Sequence, residues 1–356
     1  MTPPPREMTL DLRPASRFQL IDVAAEVRER DPDFFEAYPR TAFCSLHTTA
    51  GYLEQPLCAR LDHSGSRLRG FVDLFRRLFP PGAGYLHDRM ELREELSEAE
   101  KETEPVNADS HLTFISAGLR NLVVYKPDAG QPVYLIDLDG VNGELRRTRR
   151  TAVLGFTEEE EVYRGRYPLP VGRDHALDSF DLKHPRLGLA SHLRELLETH
   201  GVSRGRVDLR LAPTERNVGL TVNEFETLLM RNDLPAAMRS PLRYLLQRGR
   251  SLLRDPRAIP RKTRDYAVYD LVHLYNEVMD TLGVGRSVAD ALLSRLSGPA
   301  FRVFRLKRRV SFLVSGASGS GAGRLVSGRY QSPILIQHRP PEGDVRELEV
   351  TVSRFR

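Results

Sequence analysis

Apolar positions recur along the chain with two periods, and the same succession of periods occurs twice. Near the start Leu10-Asp11-Leu12-Arg13 alternates as a strand does, and the run from Leu20 to Arg28 is spaced like an amphipathic helix. In the second half Phe180-Asp181-Leu182-Lys183 repeats the alternating pattern and Leu189 to Leu197 the helical one, with a single-residue gap aligning the two stretches. Thr41–Leu46 reads as a buried strand, and Arg206–Leu211 sits at the matching place. Leu68, Phe71, Val72, Phe75 and Leu78 fall on one helical stripe, and Leu228, Leu229, Leu242, Leu245 and Leu246 serve a similar stretch later. Each half ends on two strands: Gln131–Ile136 with Arg149–Leu154, and Gln331–Ile336 with Arg346–Val352. The last of these alternates cleanly, as suits a sheet with one wet face.

The pattern predicts an α+β fold in two tandem copies, each a largely antiparallel sheet or sandwich with packed helices. Residues 1–160 form the first copy and 176–356 the second, with a helical insertion at about 250–297. Residues 161–175, containing Tyr167–Asp174 (YPLPVGRD) after the acidic run Glu158–Glu161, read as the linker. A length of 356 residues suits two domains better than one core. The stretch Ser315–Gly323 reads as a flexible loop, because it lacks the Gly-Lys-Ser/Thr ending of a phosphate cradle.

Composition narrows the class. With 40% hydrophobic and 28% charged residues the chain has the make-up of an ordinary globular protein. No apolar run approaches the roughly 20 residues that span a bilayer. No apolar h-region follows the N-terminus, so a secretory leader is not expected. Two cysteines, Cys44 and Cys58, offer no disulfide framework, and a cytoplasmic location is expected. The net charge of +5 is carried by arginine, with lysine only at 101, 126, 183, 262 and 307. Arginines cluster at 146–150 and 302–309, and more loosely at 248–264. Such clusters either meet phosphates or form a solvated face interleaved with acids. No aromatic-rich RNA motif or helix-turn-helix pattern accompanies them, so neither nucleic acid nor membrane is an expected partner.

Three short motifs in the first half carry candidate chemistry: His47-Thr48-Thr49-Ala50-Gly51, Tyr85-Leu86-His87 and Asn107-Ala108-Asp109-Ser110-His111. The last is read as lying just before a strand, His111–Ser116. Three histidines at strand ends or loops can converge on a divalent ion such as zinc, leaving a position for water or substrate. Alternatively one histidine acts as a general base near neutral pH while its neighbours orient it. Taken singly, each is as readily a satisfied core or surface residue. The remaining seven histidines lack motif neighbours, and for them the structural reading prevails.

These motifs, followed by Asp137-Leu138-Asp139-Gly140 and Arg149 at a closing strand, resemble the YjbQ family (UPF0047), often labelled secondary thiamine-phosphate synthases. The resemblance covers roughly Met8 to Phe156. Relatives usually continue the first motif as Gly-Leu-Thr-Ile-Asn-Glu, whereas this chain reads Gly51-Tyr-Leu-Glu54-Gln there. The second half retains Gly219-Leu-Thr-Val-Asn-Glu224, but Pro213-Thr-Glu-Arg-Asn-Val218 stands where the histidine motif would be. The family's Gly-x-Trp-Gln appears as Gly328-Arg-Tyr330-Gln331, and only as Gly130-Gln131 in the first half. The acidic segment Glu91–Glu104 reads as an inserted helix or lid.

The resemblance implies a trimeric or pseudo-hexameric homo-oligomer and a site on a phosphorylated small molecule, with transfer of the thiamine-phosphate-synthase kind. In that reading His47, His87, His111 and Arg149 are catalytic, and Thr48, Thr49, Asn107, Asp137 and Asp139 bind substrate. The three histidines would hold a divalent metal, zinc or magnesium. Two other readings stay open, a metal-dependent hydrolase using the same residues and a non-catalytic binding or assembly protein. The second copy, without the histidines, is expected to be silent.

Overall fold

The computed structural model describes residues 3–128, 130–172, 177–239, 306–316, 321–337, 341 and 343–356. The helical insertion expected at about 250–297 lies outside them. The chain divides into two compact units, Met1–Gly65 with Gly118–Phe225 and Leu306–Arg356, and Ser66–Ala117 with Glu226–Arg305.

The first unit holds all the described strands. In chain order they are β1 (Arg6–Leu12), β2 (Gln19–Asp22), β3 (Arg40–Ser45), β4 (Ala50–Gly51), β5 (Leu122–Tyr125), β6 (Tyr134–Asp137), β7 (Val141–Asn142), β8 (Leu145–Arg146) and β9 (Arg149–Phe156). The second half continues with β10 (Glu159–Pro170), β11 (Asp178–Asp181), β12 (Gly205–Leu211), β13 (Val218–Asn223), β14 (Arg309–Ser315), β15 (Arg324–Val326), β16 (Ser332–Gln337) and β17 (Val345–Phe355). One sheet runs β1-β9-β3-β5 and a second β10-β17-β12-β14-β15. Two three-stranded sheets run β2-β6-β4 and β11-β16-β13. All these pairings are antiparallel. Apart from the extra edge strand β15 and the β7–β8 pair of the first half, the described strands of the two halves therefore have one order, in the same chain sequence.

The registers agree residue by residue. Ser45 pairs with Thr151, two residues after Arg149, and Leu211 pairs with Leu348, two residues after Arg346. Tyr52 bridges to Arg120 as Leu220 bridges to Lys307. Position by position, His47 corresponds to Pro213, Thr49 to Glu215, Arg149 to Arg346 and Asp137 to Gln337.

The large sheets bury opposed apolar faces. Ala42, Cys44, Leu122, Ala152, Leu154 and Phe156 of the first cluster with Leu313 and Phe355 of the second. The Phe156 and Phe355 rings stack at 3.8 Å and 2°. On its other face the five-stranded sheet packs Val207, Leu209, Val350 and Val352 with Leu220, Val222 and Leu335 of the small sheet. Leu193, Leu196 and Leu197 join that core, as the helical spacing of their segment requires.

In chain order the helices are α1 (Val23–Arg30), α2 (Phe34–Ala37), α3 (Gln55–Arg60), α4 (Gly65–Leu78), α5 (Glu98–Thr103), α6 (Ala108–Ser116), α7 (Leu189–Thr199) and α8 (Leu234–Arg239). The helical run read from Leu20 starts three residues later, because Gln19–Asp22 pairs with β6 and Asp22 caps α1 through the Ala24 and Ala25 amides. The segment read as a linker from residue 161 is strand as far as Pro170. Among the described strands only β17 pairs with it, so Pro168 and Pro170 cost the ladder little on its open side.

The second unit contains α4 from Ser66 onward, α5, α6 and α8. Helix α4 buries Leu68, Phe71, Val72, Phe75 and Leu78 as the stripe predicts. The acidic insertion forms α5, started by a capping box between Ser97 and Glu100. The strand expected at His111–Ser116 is instead α6, with all nine of its residues buried. An element buried on every side shows no period, so the sequence could not separate helix from strand there.

Candidate functional site

In the first unit β3 ends in the loop Leu46–Thr49, which lies beside the start of β9. The Leu46 amide donates to the Arg150 carbonyl, and the Arg150 amide donates to His47 Nε2 at 2.7 Å. A ring nitrogen that accepts an N–H carries no proton, so neutral His47 is the Nδ1–H tautomer. Burial, followed by the Arg149, Arg147 and Arg150 charges, pushes the His47 pKa down to about 3. Near pH 7 it is therefore an uncharged hydrogen-bond donor and a weak base.

Arg149 is buried and fixed. Its Nε donates to Asp137 Oδ2 at 2.9 Å. Its Nη2 donates to Asp137 Oδ1 at 2.7 Å, to the Asp139 carbonyl at 2.7 Å and to Thr49 Oγ1 at 3.2 Å. Nη1 makes no hydrogen bond among the described residues. Asp137 is fully buried; burial raises its pKa, and Arg149 offsets this only in part. Asp139, also fully buried, meets Arg147 Nη2 at 3.1 Å. Arg147 Nε is buried and unbonded among the described residues. Four expected site residues, Thr49, Asp137, Asp139 and Arg149, are thus one network. Thr48 joins the loop through its backbone, its carbonyl accepting from Asn223 Nδ2 at 3.1 Å.

The second half carries the corresponding clamp with its charges moved. Buried Arg346 donates from Nη1 to Glu215 Oε2 at 2.6 Å and from Nε to Gln337 Oε1 at 3.3 Å. The carboxylate has shifted from the Asp137 position to the Thr49 position, and proline replaces the histidine.

In the second unit His87 is enclosed. Its Nδ1 meets Glu226 Oε2 at 2.9 Å and its Nε2 meets Asn107 Oδ1 at 3.3 Å. Its amide donates to Asp233 Oδ2 at 2.9 Å, and the Leu86 amide to Asp233 Oδ1 at 3.0 Å. Asp88 Oδ1 accepts from the Ala108 amide at the start of α6. The same helix brings the His111 ring edge-to-face on His87, with centroids 5.2 Å apart. Burial works to raise the Glu226 pKa, but the His87 bond and the Leu228 and Leu229 amides outweigh it and leave the carboxyl below its ordinary value.

Both ring nitrogens of His87 are committed to Glu226 and Asn107, and His47 Nε2 is committed to Arg150. Among the described residues, no group of three or more His, Cys, Asp or Glu side chains could hold a metal ion.

Glu226 and Asp233 carry no motif in the sequence, and Gln331 and Asn223 stand there only within the family-like signatures. The available signal was the retained Gly219–Glu224 signature, which ends two residues before Glu226.

No family model and no curated protein matches the chain. Among solved structures, a YbjQ-like protein of unknown function from Sulfolobus solfataricus P2 is similar at 13% identity and TM-score 0.27, over 55% of this chain and 99% of that one. A hypothetical protein from Aeropyrum pernix K1 is similar at 14% identity and TM-score 0.27, over 54% and 98%. An uncharacterised conserved protein of the YjbQ/UPF0047 family from Clostridium acetobutylicum is similar at 15% identity and TM-score 0.23, over 53% and 98%.

Proposed function

We propose that His47, Arg147 and Arg149 bind the phosphate or diphosphate of a small molecule, on which the chain carries out a group transfer of the thiamine-phosphate-synthase kind. The supporting observation is the Arg149 clamp. Asp137, Thr49 and the Asp139 carbonyl hold Nε and Nη2, leaving Nη1 as a preset donor. A guanidinium fixed in advance loses little freedom on meeting an anion, and its planar donors match phosphate oxygens. Arg147 Nε and the His47 Nδ1–H are further donors. Three cations around a neutral imidazole are what a diphosphate needs as charge builds on its leaving oxygens.

An arriving anion would offset the arginine charges and bring the His47 pKa back up. Protonation of His47 would then add to binding only as pH falls through that raised value. Titration of the purified chain with inorganic pyrophosphate, followed by calorimetry, tests the binding reading. Affinity should fall at least tenfold in Arg147→Ala and in His47→Ala, and absence of wild-type binding at millimolar pyrophosphate refutes it. Formation of thiamine phosphate from the pyrimidine diphosphate and thiazole phosphate tests the transfer. Metal analysis of the wild type, His47→Ala and His111→Ala checks the zinc or magnesium expectation. Light scattering checks the trimeric or pseudo-hexameric assembly. No helix among the described residues is long and apolar enough to cross a membrane, and the two buried free thiols accord with a cytoplasmic location.

A further inference from the structure

The second half of the chain lacks the histidines, yet its signature residues touch the loop that bears His47. Gln331 is buried, and both N–H groups of its side-chain amide are engaged. Oε1 accepts from the Gly328 amide at 2.9 Å, while Nε2 donates to the Ser45 carbonyl at 3.0 Å and to the His47 carbonyl at 2.8 Å. Asn223 is fully buried, and its Nδ2 donates to the Thr48 carbonyl. Gly328 passes so close that a Cβ there would lie 1.8 Å from the Leu46 oxygen. Four successive carbonyls, from Ser45 to Thr48, are thus met by the second half.

The relation runs one way. Gln131, which corresponds to Gln331, accepts from Gln55 of its own half, and its carbonyl accepts from Arg28. Gln55 occupies the position of Asn223 in the first half. That half has therefore kept the histidine and lost the asparagine, and the second has done the reverse.

We infer that Asn223 and Gln331 are positioning residues for His47, so that one site is assembled from complementary parts of the two halves. Each anchors a carbonyl flanking the ring, and together they set the angle at which His47 Nε2 meets the Arg150 amide. Residue Glu226, again from the second half, holds His87 in the other unit. The inference rests on the phosphate reading for its purpose but not for its test.

The test uses the full chain as Gln331→Glu, Asn223→Asp and Gly328→Ala. The first two remove the donor and keep the shape; the third leaves both amides and displaces the Leu46 carbonyl. Hydrogen exchange and the imidazole nitrogen spectrum of His47 are read beside pyrophosphate affinity. Exchange of the 46–49 amides and of the Arg150 amide is expected to rise at least tenfold, with the other β3 and β9 amides unchanged, and the His47 signals to move from a pure Nδ1–H tautomer toward a mixture. Pyrophosphate affinity is expected to drop about tenfold. Wild-type exchange and an unmoved His47 signal in all three variants overturn the inference. Loosening of the other β3 and β9 amides to the same extent as the loop also overturns it, because the contacts would then be merely structural. A wild type that fails to bind pyrophosphate removes the phosphate reading alone, since exchange and the tautomer signal still decide positioning.

Discussion

Replacing Arg149 with methionine isolates the ion pair on which the site is built. Methionine approximates the aliphatic volume of arginine, so the change is chiefly electrical. The guanidinium makes two hydrogen bonds to Asp137, one to Thr49 and one to the Asp139 carbonyl, with Arg149 at 1% exposure and Asp137 at 0%. Removing one partner of a buried pair leaves an uncompensated charge and costs about 3–5 kcal/mol. One contact survives, the Asp139 amide to Asp137 Oδ1 at 3.0 Å, which favours the lower half of that range. Protonation gives the carboxylate an escape. Burial already raises the Asp137 pKa, and without Arg149 it rises further. A folded pKa above the unfolded value means that the folded variant binds more protons, so its deficit grows as pH rises toward the folded pKa. Urea unfolding of Arg149→Met at pH 5 and pH 8 should show a loss of about 3–4 kcal/mol at pH 8 and a smaller one at pH 5. Adding Asp137→Leu removes the stranded charge and should restore at least half of the loss. A single-variant deficit under about 1 kcal/mol, or a double variant as unstable as the sum of its parts, would falsify the account.

His47 gives the wild type an acid weakness. Its folded pKa of about 3 lies below the ordinary 6.5, so its stabilising contribution is complete above pH 6.5 and is lost as pH falls toward 3, by up to about 1.4 kcal/mol per unit. Urea midpoints of His47→Gln and wild type should therefore converge between pH 7 and pH 5, and parallel curves would count against the burial of the ring. Gly140→Ala places a Cβ 2.4 Å from Pro14 Cβ and 2.7 Å from Asp137 Oδ2; a loss of about 1–3 kcal/mol is expected, and an unchanged melting temperature would show that the Asp137 turn yields freely. Burial raises the Cys44 thiol to about 12 and the Cys58 thiol to about 11. Mass spectrometry after iodoacetamide at pH 8 should find both thiols unmodified in the native chain and alkylated in urea; rapid native labelling of Cys44 would contradict its place between the sheets.

How much could be read beforehand depended on where the information lay. The alternation in Arg346–Val352 marks a strand because one of its faces is wetter than the other, and α4 shows its stripe for the same reason. Buried on all sides, α6 offers no contrast. An edge strand rich in charge and proline, β10 resembles a linker, since the tolerance for Pro168 depends on which strand lies beside it. The Arg149–Asp137–Thr49 network joins residues up to 100 positions apart, so composition named its members while only strand register joined them. Glu226 was illegible because one acid among 48 Asp and Glu residues reveals nothing until His87 is found against it.

The ordering of the sheets also constrains the making of the chain. Strand β10 emerges immediately after β9, yet its one partner among the described strands is β17, with Glu159 pairing to Phe355. The ribosome must add roughly 200 residues before that edge is covered, an interval of about 10–40 s at ~5–20 residues per second. Through that interval the first four-stranded sheet can close, because β1, β9, β3 and β5 are all complete, whereas β10 waits as an open edge. Its glutamates, arginines and prolines are the residues that discourage an unpaired edge from joining a stranger.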